Sequence, residues 1–182
     1  MMISGNNFLK EENFSGDDSY YFSRIFCIWG WATWKRAWEK YDINMETYSD
    51  FKNQKQFKNI FSNPLISHYW IKMLDRLKNN EIDTWDYQWF YSIWANNGLS
   101  IVPNINLVKN IGFSYSGTHT NYDSSGYSIE AKNFTGTIIH PQFIIPNKIA
   151  EEKSFVNFYN VDISKKKLFI RLLFDKKFRK IL

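Results

Sequence analysis

The chain has one cysteine, Cys27, among its 182 residues. A lone cysteine excludes an internal disulfide, and its place in an apolar run reads as a buried structural thiol. No run of about eighteen apolar residues occurs, so no segment has the length of a membrane-spanning helix. Met1 is not followed by a basic and then an apolar region, and a cytoplasmic location is the default expectation. Groove-reading nucleic-acid motifs are also missing. The net charge is +5, with much of the excess after Ser164, and without such a motif nucleic acid is not an expected partner.

What the chain does have is rings. Aromatic residues make up 19% of it, within 44% hydrophobic residues overall. That load argues against disorder and supplies a core for one domain's worth of chain. Flat rings also suit a carbohydrate-facing surface, since Trp and Tyr offer an apolar face with a polar handle.

Read in order, Met1 to Ser4 is a short strand closed by Gly5-Asn6-Asn7. Lys10 to Ser19 is a polar loop, whose Asp17-Asp18 pair is either a pair of solvated turn residues or a clamp for a hard cation. Tyr20 to Ile28 reads as a second strand, followed by a tight turn at Gly30. From Thr33 the pattern turns helical, with Trp34, Ala37, Trp38 and Tyr41 on one stripe and Lys35, Arg36, Glu39 and Lys40 on the other face. Asn44 to Ser62, rich in Asn and Lys, is expected on the surface. Asn63-Pro64 starts a helix that buries Ile66, Trp70, Met73, Leu74 and Leu77 and ends near Asn79-Asn80, with His68 off the stripe as a structural residue. Residues 121–136 form a Tyr/Ser/Asn/Gly loop, either a lid hinged at Gly126 and Gly136 or a surface loop. Thr137 to Ile145 is expected to resume a strand.

Thr84 to Thr120 is the stretch with chemical potential. Asp83 or Thr84 can cap a helix that buries Trp85, Trp89, Ile93 and Trp94 and ends at a left-handed Gly98. Leu99 to Val102 is then a buried strand stopped by Pro103. Asp86, in the first helical turn, is either a simple dipole-favoured residue or a general base. Two effects oppose each other there: the helix start pulls its pKa down, and burial beside Trp85 and Trp89 pushes it up. His119 follows a glycine-containing loop and is either a surface histidine or a ligand.

The segments Trp29-Gly30-Trp31-Ala32-Thr33-Trp34, Trp85-Asp86-Tyr87-Gln88-Trp89, Asn110-Ile111-Gly112 and Thr118-His119-Thr120 resemble a bacterial group of nucleotide-diphospho-sugar glycosyltransferases, some of which carry a haemolytic-protein-like label. Their order is also similar to that in the N-acetylglucosaminyltransferase that starts complex N-glycans. The resemblance implies an α/β fold, the C-terminal, acceptor-side portion of a GT-A-like doubly wound domain with a mixed sheet and flanking helices. On this reading residues 1–150 are a partial domain that lacks the N-terminal nucleotide-binding half, because the family's acidic metal motif lies upstream of a strand resembling Met1 to Gly5.

The activity implied is sugar transfer from a nucleotide-sugar donor to a glycan or lipid-linked acceptor hydroxyl, as in bacterial polysaccharide biosynthesis. Asp86 would be the catalytic base. Arg24, Trp29, Gly30, Trp31, Trp85 and Gln88 would bind substrate. His119 would help hold a divalent Mn or Mg whose carboxylate ligands are absent from this chain. The alternative is a non-catalytic glycan-binding or remnant domain.

Residues 151–182 read as a basic amphipathic helical tail. From Lys165 to Leu182, apolar and basic residues alternate in a way that suits either a membrane interface or packing on the domain. The first option implies a peripheral position at the inner membrane face.

Overall fold

A computed structural model describes residues 1–9, 13–111 and 129–181 of the chain. The fold is mixed α/β, with a four-stranded mixed sheet and helices. The chain divides into two compact units, residues 1–34 with 99–160, and residues 35–98 with 161–182.

Unit one is built on the sheet. Its strands are β1 (Met2–Ser4), β2 (Tyr20–Ser23), β3 (Trp31–Thr33) and β4 (Ser100–Pro103), in the order β2-β4-β1-β3. β1 runs parallel to β4, with Met2 opposite Ser100, and antiparallel to β3, with Ile3 opposite Ala32. β2 closes the other side antiparallel to β4, pairing Phe22 with Ile101. Met2, Tyr21 and Val102 are buried on the strands, and Leu9, Ile25, Phe26 and Cys27 are buried beside them. The helix Lys148–Tyr159, α6 in chain order, packs on β2. Asn147 starts it by accepting from the Ala150 N–H at 3.0 Å, and Phe155 is fully buried.

A buried asparagine organises the loop after β4. Asn106 Oδ1 accepts from the Asn6 side chain and the Asn7 backbone, both at 3.1 Å. Its amide nitrogen donates to the carbonyls of Val108, Ile129 and Glu130. These bonds satisfy polar groups that burial would otherwise penalise, and they bring Val108 over the Gly30 turn.

Unit two is helical: α1 (Lys35–Trp38), α2 (Tyr48–Asn53), α3 (Phe57–Ile60), α4 (Pro64–Lys78), α5 (Asp86–Ala95), α7 (Lys165–Phe174) and α8 (Lys176–Ile181). Its centre is a ring cluster. Trp70 on α4 meets Trp94 on α5 at 4.8 Å between centroids, and Phe61 meets the same indole edge-on at 5.1 Å. Such pairs add roughly 0.5–1.5 kcal/mol each beyond their buried area.

The structure corrects several expectations. The stripe from Trp34 to Tyr41 is a single helical turn in which only Ala37 is buried, with Trp34 and Trp38 exposed. Residues 44–62 are not all surface, because Met45, Tyr48, Phe57, Ile60 and Phe61 sit in the core among the polar residues. Residues 31–33 are a strand, paired with β1. The second strand ends at Ser23, short of Ile28. Residues 137–145 do not form a strand and are mostly exposed, and the segment reaches the sheet at a bridge between Phe22 and Pro146.

Neither Asp83 nor Thr84 caps α5, whose N-cap is Trp85 without a side-chain bond. Asn97, at φ 50°, takes the left-handed position expected of Gly98. The boundary expected at residue 150 falls inside α6, whose buried Phe155 ties residues 151–160 to unit one, while α7 and α8 belong to unit two.

Candidate functional site

The expected site residues fall on both units. Arg24, Trp29, Gly30 and Trp31 belong to unit one, and Trp85, Asp86 and Gln88 to unit two. His119 and the Gly112–Gly117 loop before it lie outside the described residues, as do Gly126 and the first half of the expected lid, residues 121–128.

In unit one the expected residues have structural partners. The Arg24 N–H donates to Glu151 Oε1 on α6 at 2.5 Å. Glu151 is buried, and burial raises its carboxyl pKa while the Arg24 N–H and the Arg24 charge hold it down. The Trp29 indole is half-buried and meets Phe8 and Phe158 edge-on at 5.5 and 5.9 Å. Gly30 has φ +56°, and a Cβ there would collide with Val108 Cγ1. Only glycine fits both the conformation and the gap. Trp31 is half-buried on β3.

Unit two holds the more chemical cluster. Asp86 opens α5, a position that the positive helix start favours for a carboxylate. The Thr84 hydroxyl donates to its Oδ1, and the backbone N–H groups of Asp86 and Tyr87 also bond it. Even so, burial outweighs these three bonds and raises the Asp86 pKa above its ordinary value. The opposition between dipole and desolvation is thereby decided for desolvation. The charge in turn raises the pKa of Tyr41 and Tyr87, though burial is the larger cause for both.

A ring cluster forms at the same helix start. Trp38 stacks on Tyr41 at 4.6 Å and 15°, and meets the edge of Trp85 at 6.4 Å. Behind them the fully buried Trp89 lies 5.1 Å from Trp38. The Tyr41 hydroxyl donates to the Trp85 carbonyl at 3.0 Å, which fixes the α1 turn to the start of α5. Trp38 is 39% exposed and Trp85 43% exposed. Two indoles and a phenol thus line an accessible edge beside a half-buried acid. Trp85 stands out of the buried stripe expected for α5 because it precedes the helix.

A cleft of about 300 Å³ adjoins, lined by Lys78, Ile82, Asp83, Thr84 and Gln88 among others. Gln88 Oε1 is buried and has no hydrogen-bond partner among the described residues. Thr84, Trp38 and Tyr41 join the site although the sequence reading does not single them out for it. The available signal is the i, i+3 spacing of Trp38 and Tyr41, which permits an exposed stack as well as a buried stripe.

No group of three or more His, Cys, Asp and Glu side chains placed to hold a metal exists among the described residues. They do not fit a divalent ion on their own. Asp17 and Asp18 lie in a turn, where the Asp18 carbonyl accepts from the Asn104 side chain. Among the described residues no helix is long and apolar enough to cross a membrane. Comparisons with protein-family models, curated proteins and solved structures find no match to this chain.

Proposed function

We propose that the Asp86 cluster is the acceptor-side catalytic site of a glycosyltransferase of GT-A-like fold, acting on a nucleotide-diphospho-sugar and an acceptor hydroxyl. The observation that carries this reading is a half-buried carboxylate with a raised pKa beside exposed indoles. A carboxylate whose pKa is raised toward the working pH is a stronger base than an ordinary one. As the acceptor oxygen attacks the anomeric carbon, the new C–O bond forms and the bond to the nucleotide diphosphate breaks. Asp86 takes the hydroxyl proton. Thr84 steadies the carboxylate, while Trp38, Tyr41 and Trp85 give ring faces to the sugar.

Mn or Mg, with His119 as one ligand, belongs to this reading by resemblance. So do donor contacts from Arg24, Trp29, Gly30 and Trp31, and assignment of residues 1–150 to a partial transferase domain. The test joins the chain to a nucleotide-binding half and incubates it with a panel of nucleotide sugars and glycan acceptors, following donor loss and glycan gain together.

The second reading is a glycan-binding domain without turnover. The exposed Trp38 and Trp85 favour it equally, because ring stacking needs no base. Saturable glycan binding without donor consumption would decide for it.

A further inference from the structure

We propose that α7 docks on an anionic lipid bilayer, lying in the interface with Phe169, Ile170, Leu172, Leu173 and Phe174 toward the acyl boundary. This does not rest on the transferase reading. The first observation is which side of the helix unit two uses. Leu168, Arg171 and Asp175 are half-buried and Phe178 is fully buried, so residues spaced by three, four and three form the attached side. Arg171 Nη1 meets His68 Nε2 on α4 at 2.5 Å, and Phe178 meets the same imidazole edge-on at 5.1 Å. Asp175 breaks the helix and starts α8 by accepting from the Phe178 N–H at 2.9 Å. His68 is therefore the anchor of the tail.

The second observation is what remains on the other side. Phe169 is 61% exposed, Leu173 50% and Phe174 81%, with Ile170 and Leu172 exposed beside them. Five large apolar side chains on a ten-residue helix are a costly surface to leave in water.

The third observation is charge. From residue 165 onward the chain carries eight Lys and Arg against one acid, Asp175. Lys166 and Lys167 occupy the first turn of α7, which has no acidic residue. Cations there oppose the helix dipole and cost helix stability. An anionic surface supplies the missing counter-charge, and its acyl boundary takes the exposed rings, which is the pattern of an interfacial helix. A neutral apolar partner would answer only half of this.

The test uses the whole chain and co-sedimentation with two kinds of vesicle, phosphatidylcholine alone and an equal mixture with phosphatidylglycerol. The expected result is pelleting with the mixture, little with phosphatidylcholine, and release at high salt. Phe169→Ser with Phe174→Ser, and separately Lys166→Glu with Lys167→Glu, should each lower partitioning by roughly tenfold or more. Melting temperature should hold in both variants, since these side chains are exposed.

Equal binding to both vesicle types, or no binding to either, overturns the proposal. Unchanged partitioning of either double variant does so too. A serine variant that converts a dimer to a monomer on size exclusion without losing vesicles assigns the face to a second copy. A serine variant that melts several degrees lower shows the face to be packed.

Discussion

The Thr84 hydroxyl donates to Asp86 Oδ1 in the turn that opens α5. That bond stabilises the charged carboxylate, yet burial still leaves its pKa raised. The acid is therefore held in place and kept partly short of solvation at once. Those two conditions allow a side chain to serve as a base.

The raised pKa has a signed consequence for stability. Between the ordinary value of 3.8 and the higher folded value, the folded state binds more protons than the unfolded chain, so stability falls as pH rises through that window. Above it the charged Asp86 costs free energy that a neutral Asn does not. Asp86→Asn should melt at or above the wild-type temperature at pH 7, and the difference should close as pH falls below 3.8. Melting curves across pH check this.

Ring exposure separates binding from folding. Trp89 is fully buried, and Trp89→Ala should cost about 3–5 kcal/mol as a large core deletion. Trp85→Ala removes a ring 43% exposed and should cost about 1 kcal/mol or less, in the range of surface substitutions. Glycan binding, read by fluorescence titration, should weaken roughly tenfold, the loss of one ring contact of about 1.4 kcal/mol.

Gly30 carries a steric prediction. Gly30→Ala drives a Cβ into Val108 Cγ1 at φ +56°. The left-handed strain costs about 1–2 kcal/mol and overpacking about 1–3 kcal/mol more. Chemical denaturation should show the sum, and Gly30→Ala with Val108→Ala should recover the packing part alone.

Arg24 and Glu151 make a linked pair. The folded Glu151 pKa is raised, so its charge costs stability above that pKa and none below the unfolded value of 4.5. Removing the Arg24 charge raises it further. Arg24→Ala should therefore destabilise most near neutral pH and least near the unfolded value of 4.5, and adding Glu151→Gln should flatten that dependence. Denaturant titrations at the two pH values read it out.

The helices with strong apolar periodicity are legible from the residues. Asn63-Pro64 starts α4 as expected, with Asn63 Oδ1 accepting from the Leu65 N–H, and Ile66, Trp70, Leu74 and Leu77 are buried. Trp89, Ile93 and Trp94 fill the core from α5, and β1 and β4 fall within a residue of their expected places. Residues 44–62 defeat a local reading because single buried rings, Tyr48 and Phe57, are spaced by polar residues and give no period. β3 is hidden because its three residues pair with β1 across the chain, a contact that local pattern does not encode.

At the site, the position of Asp86 is legible and its electrostatics are not. Dipole and desolvation act in opposite directions, and only the burial of the carboxylate in the folded chain shows which is larger. The half-burial of Trp29 against Phe8 and Phe158 likewise depends on α6, whose helical character is expected but whose packing in unit one is not.

The most direct measurement is the rate of sugar transfer by the full protein and by its Asp86→Asn variant, each assayed on the same donor and acceptor. Loss of a general base predicts a fall of roughly a hundred to ten-thousand-fold, with donor affinity held and no loss of melting temperature. An Asp86→Asn protein that keeps most of its turnover would contradict the assignment, leaving Asp86 as a residue that only favours the start of α5.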